Sequence, residues 1–105
     1  MPNGPDKFWV RTASAIWRFR ERYGKWPTRL LISGPESWLE GTYGGPENVA
    51  LIEARMEIVT DVPLSNYAML AVVDEEGHCV EYPGCMLGYD AEVERWIPVR
   101  FHGWL

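Results

Sequence analysis

Residues 6–23 contain neither glycine nor proline, and Gly24 and the pair Trp26-Pro27 follow at once. A breaker-free stretch closed by a glycine and an extended X-Pro step reads as one long helix. Asp6 stands where a capping side chain belongs. On a helical wheel Phe8, Trp9, Thr12, Ile16, Phe19 and Tyr23 share a sector about 100° wide, the face expected to enter the core. Lys7, Arg11, Arg18 and Arg22 share another, roughly opposite, about 60° wide. Val10 and Trp17 lie about 20° apart outside the core sector and are expected to form an exposed apolar strip.

The rest of the chain is shorter-grained. Residues 28–33 are β-permissive and bounded by Pro27 and Gly34, so they read as a strand. Gly34-Pro35-Glu36 and Gly45-Pro46-Glu47 each place proline and then glutamate where a helix N-terminus favours them. They predict helices over about 35–40 and 46–56, with Ser33 and Glu36 as a capping box. Residues 57–60 read as a strand. Residues 66–73 are apolar on both faces and read as a central strand. The turn at 74–77 and residues 78–82 complete a hairpin. Residues 90–96 suggest short helical turns, and 98–102 a final edge strand. The order predicts an α+β fold in two layers. A mixed or antiparallel sheet of three to five strands would carry the N-terminal amphipathic helix and two short helices. The stretch 28–60 is long enough to join two parallel strands.

The chain has 105 residues, 47% of them hydrophobic and 24% charged. That fits one globular domain over 1–105 and excludes a disordered tail or a disulfide scaffold. The longest apolar run, residues 67–73, is far short of the ~20 residues a membrane helix needs. No basic start leads into an apolar stretch, so the expected setting is the cytoplasm. The net charge of −5 opposes whole-surface attraction to nucleic acid or anionic membrane. The charge is uneven. Residues 1–29 hold seven Lys and Arg against two carboxylates, and residues 30–105 hold three against thirteen. Either a basic helix lies beside acidic surface of its own fold, or one face meets a partner of opposite sign.

Chemistry-bearing patterns are few. Gly41-Thr42-Tyr43-Gly44-Gly45-Pro46 matches no phosphate-binding loop; it lacks lysine, and Glu47 stands where a phosphate would sit. His78, Cys79, Cys85 and His102 lack metal-site spacing, and neighbours on a strand point to opposite faces. The expectation is reduced thiols, no metal and no cofactor. No serine or cysteine sits in a nucleophile motif, so no catalytic residue is named. Six tryptophans are the most unusual count, and each indole needs both apolar cover and an N–H partner. Trp and Arg are enriched at protein interfaces.

The run Arg22-Tyr23-Gly24-Lys25-Trp26-Pro27-Thr28-Arg29 after a basic helix, the later run from Leu51 to Val59 and the 74–77 turn resemble a group of short uncharacterised bacterial proteins. The resemblance implies an intracellular bacterial or mobile-element setting and carries no activity and no site residues. The reading is a small cytosolic binding or regulatory protein acting through protein–protein contact, with a homodimer as one form. Val10, Trp17 and Trp104 are its candidate contacts. The alternative is nucleic-acid binding through Lys7, Arg11, Arg18, Arg22, Lys25 and Arg29. A third reading is a mobile-element inhibitor whose acidic face imitates nucleic acid.

Overall fold

The stop signal at Gly24 sets the first boundary. In a computed structural model, which describes residues 7–65, 68–82 and 88–99, helix α1 runs Lys7–Tyr23. Gly24 then takes φ +72° and its amide donates to the Arg20 carbonyl at 2.8 Å. That left-handed conformation is cheap for glycine and costly for a residue with a Cβ. Strand β1 is Arg29–Ile32, followed by a 3-10 turn at Glu36–Trp38 and helix α2 at Leu39–Thr42. Helix α3, Pro46–Glu53, starts on its proline as read. Strands β2 (Glu57–Val59), β3 (Leu70–Val73) and β4 (Cys79–Glu81) follow, and then helix α4 (Ala91–Trp96). Asp90 caps α4 by accepting from the Val93 amide at 3.3 Å.

The four strands form one mixed sheet in the order β2-β1-β3-β4. β1 pairs parallel with β2 and antiparallel with β3, and β3 pairs antiparallel with β4. The register aligns Leu30 with Val72, Ile32 with Leu70, and Val72 with Val80. These five side chains are buried and lie on one face. The other face carries Arg29, Leu31, Val73, Cys79 and Glu81, all at least partly exposed, around a buried Ala71. β3 lies between β1 and β4 and is a central strand, as its unbroken apolar run suggested.

Several expectations are corrected. The helix read over 46–56 ends at Glu53, where the amides of Arg55 and Met56 both turn back to the Ile52 carbonyl and tighten the chain. β3 begins at Leu70; residues 66 and 67 lie outside the described residues. The Ser33–Glu36 capping box does not form. The Ser33 hydroxyl donates instead to the Met69 carbonyl across the sheet at 3.2 Å, and Pro35 occupies the cap position with no side-chain bond. Pro98 and Val99 are not in a strand, and residues 100–102 lie outside the described residues. Gly34 has a packing reason: a Cβ there would fall 2.2 Å from the Trp38 ring.

The largest correction concerns α1. Phe8, Trp9, Thr12, Ile16 and Phe19 are buried as read, but so are Val10, Ala13, Ser14 and Ala15. The helix touches β3 and β4, and also α2 and α4. It is packed from several sides, so the apolar strip expected from Val10 and Trp17 is not a free surface. Val10 is only 6% exposed, and Trp17 is partly buried against the core.

Inside that packing, Thr12 and Tyr43 are fully buried and share a hydroxyl hydrogen bond of 2.7 Å. Losing one partner strands the other, at a cost of about 1–3 kcal/mol. Thr12→Val and Tyr43→Phe are each expected to cost that much in urea unfolding, whereas the double variant should cost less than the two combined. Strict additivity would mean that the bond carries no coupling.

Candidate functional site

The basic residues of α1, with Lys25 and Arg29 beyond its end, were expected to act as one basic surface. Their side chains instead divide between ion pairs, ring faces and open clefts. Arg11 lies over the rings of Phe8 and Tyr82, 5.8 and 5.7 Å from their centroids, with its Nη1 3.0 Å from the Met69 sulfur. Lys25 pairs with Asp74 at 2.8 Å and also with Glu76. Arg29 pairs at 3.0 Å with Glu57, its register neighbour across the parallel strands β1 and β2. Part of the charge asymmetry is thus compensated within the chain. Lys7 opens α1, and its side chain lies outside the described residues.

Arg18 and Arg22 remain, and with Trp17 and Glu21 they line an open cleft of about 440 Å³. The Arg18 Nε is buried there without a hydrogen-bond partner among the described residues. Of the interface candidates, Trp17 lines this cleft. Val10 is enclosed, and Trp104 lies outside the described residues.

A second cleft, about 350 Å³, lies where α1, α4 and the segments after α1 and α3 meet. Its centre is an aromatic stack. Trp26 and Trp96 lie face to face, 4.4 Å between centroids and 8° from parallel. The Arg20 guanidinium sits 4.1 Å from the Trp26 centroid, a cation–π contact. Arg20 Nε also donates to Glu92 at 3.2 Å, which ties α1 to α4. Arg55 Nε donates to the Trp96 carbonyl at 2.8 Å, which fixes that guanidinium at the rim. Arg95, exposed, completes the lining and makes no ion pair among the described residues. Among the described residues three arginines thus face one carboxylate, Glu92, which Arg20 already engages.

The sequence reading missed this site. Trp26-Pro27 read as a strand entry and residues 90–96 as helical turns. The stack joins positions 70 residues apart, and no local pattern encodes that.

Among the described residues the most densely bonded polar group is Asp74, whose side chain is 4% exposed. Its Oδ1 accepts from the amides of Glu76 at 3.0 Å and His78 at 2.9 Å. Its Oδ2 takes Lys25 Nζ and His78 Nδ1, both at 2.8 Å. Burial pushes its pKa up, but the bonds from Lys25, His78 and the two amides outweigh that and hold it well below the usual carboxylate range. The His78 ring stacks on Tyr23, 4.3 Å between centroids. A carboxylate orienting an imidazole is half of a catalytic triad. Among the described residues no hydroxyl or thiol is hydrogen-bonded to that imidazole. Burial, with the Glu81 charge second, pushes the neighbouring Cys79 thiol above its ordinary pKa, which disfavours the nucleophilic thiolate. The described geometry makes Asp74 the anchor of the hairpin turn.

No family model, no curated protein and no solved structure matches this chain. Among the described residues no helix is long and apolar enough to cross a membrane, and no three His, Cys, Asp or Glu side chains gather as metal ligands.

Proposed function

We propose that this is a small cytosolic binding protein that contacts an acidic surface of a partner protein through the arginine–tryptophan cleft between α1 and α4. The observation that carries the reading is the Trp26–Trp96 stack held under Arg20, with Arg55 and Arg95 at its rim. Rigid aromatic area beside guanidinium groups is the composition of interface hot spots. Fixing the rings and Arg55 in advance lowers the ordering cost of association. A protein is favoured over nucleic acid because both faces of Trp26 are covered, leaving it no face for a base. Lys25 and Arg29 of the basic stripe are already paired. A homodimer is one form of the same contact, since the chain carries ample acidic surface of its own.

The test is affinity capture from a native lysate with the wild type and with Arg55→Glu/Arg95→Glu, both checked for folding. Truncating a hot-spot arginine typically costs about 2 kcal/mol or more. A partner of the cleft should therefore be retained by the wild type and lost, about 30-fold or more, from the variant. Identical retained sets would refute the proposal, and recovery of nucleic acid in place of protein would favour the basic-helix alternative.

A further inference from the structure

A different surface carries the opposite chemistry. From residue 30 to residue 54 the chain has four carboxylates, Glu36, Glu40, Glu47 and Glu53, and no Lys, Arg or His. The carboxylates of Asp74, Glu57, Glu76 and Glu92 are ion-paired, but among the described residues no cation pairs with Glu36, Glu47 or Glu53. Within this region Leu39 of α2 and Pro46 and Val49 of α3 line a groove of about 420 Å³, with Glu36 and Glu53 completing its lining. That size lies in the ~300–1,000 Å³ range of ligand clefts. Leu39 and Val49 are partly buried against the core, so the floor is anchored. Among the described residues the neighbouring Trp38 is one of two exposed large hydrophobic side chains.

We propose that this groove seats the apolar stripe of a basic amphipathic helix from a partner protein. An apolar floor takes side chains at i and i+3 or i+4 spacing, as in other helix-in-groove contacts. The unpaired carboxylates select Lys or Arg flanking that stripe and repel an acidic segment. The occupant is thus of opposite charge to the one proposed for the arginine–tryptophan cleft, and the two surfaces fail independently.

The probe is a fluorescein-labelled peptide of leucine and lysine with the leucines at helical spacing, followed by anisotropy. A second peptide of the same composition has its leucines scattered round the helix. The groove predicts saturable micromolar binding of the first peptide and clearly weaker binding of the second. Glu53→Lys should weaken the first peptide about fivefold, the upper range for an exposed ion pair. Glu75→Lys, with the same change in net charge at the exposed hairpin turn, should weaken it less than twofold. Val49→Asp should weaken it about tenfold or more, since a charge would stand on the apolar floor. Val49 also touches the core, so Glu53→Lys decides if Val49→Asp unfolds the chain. Equal weakening by Glu53→Lys and Glu75→Lys, or equal binding of the two peptides, would overturn the proposal in favour of general charge attraction. Sedimentation as a dimer that Glu53→Lys dissociates would overturn it in favour of a second copy as the occupant.

Discussion

Replacing Trp9 with alanine is expected to remove about 3–5 kcal/mol of folding stability. Trp9 is 0% exposed and first among the largest fully buried side chains. Its ring meets Tyr89, just ahead of α4, edge-on with 6.5 Å between centroids, so its removal loosens the contact between α1 and the C-terminal part of the fold. Enclosure of α1 from several sides leaves little room for collapse, which places the cost toward the cavity-forming end of the range. A domain of this size holds only ~5–15 kcal/mol in total. The midpoint of thermal unfolding should therefore fall by roughly 12 °C or more. Trp9→Phe, which keeps an aromatic ring, should lose distinctly less. A loss below about 1 kcal/mol for Trp9→Ala would show that Trp9 does not fill the core as described.

The contrast between Trp9 and Val10 marks what the sequence made legible. α1 could be read almost to the residue because its signals are local: no breaker inside it, glycine at its end, and an apolar sector that includes Trp9. The same wheel placed Val10 outside, because a wheel assumes burial on one side only. α2 and α4 pack on the helix as well, and nothing near Val10 announces them. The parallel pairing of β1 with β2, and the centrality of β3, followed from connection length and from an apolar run without alternation. The candidate site was not legible in the same way. Trp26 and Trp96 each looked like punctuation within its own segment, and the guanidinium ends that surround them come from three distant stretches. Charge counting raised the right question, whether the basic start answers the acidic remainder. The pairs Arg20–Glu92, Lys25–Asp74 and Arg29–Glu57 answer part of it inside the chain.

Asp74→Asn is the second substitution expected to have a large effect, and its signature is pH dependence. Asparagine can still accept the amides of Glu76 and His78, so the turn keeps its local bonds. The attraction for Lys25 is lost, and Lys25, whose pKa is raised by its bonds to Asp74 and then Glu76, loses the first of those partners. The Asp74 carboxyl titrates lower in the folded chain than in the unfolded one. Between pH 7 and about 5 both forms are ionised, and the full contribution of the charge is present. As pH falls through about 4, the unfolded chain takes up the proton first, so stability drops, and it continues to drop toward the depressed folded pKa. The asparagine variant lacks this group and should not share that part of the acid-induced loss. Urea midpoints of the two proteins should be well apart at pH 7 and converge as the pH falls from 5 to 2.5. Lys25→Met separates the two contributors: in its background Asp74→Asn should cost less than in the wild type, because the pair is already broken. A gap between wild type and Asp74→Asn that stays constant from pH 7 to 2.5 would mean that the charge of Asp74 does not stabilise the fold. The hairpin would then be held by its turn amides alone.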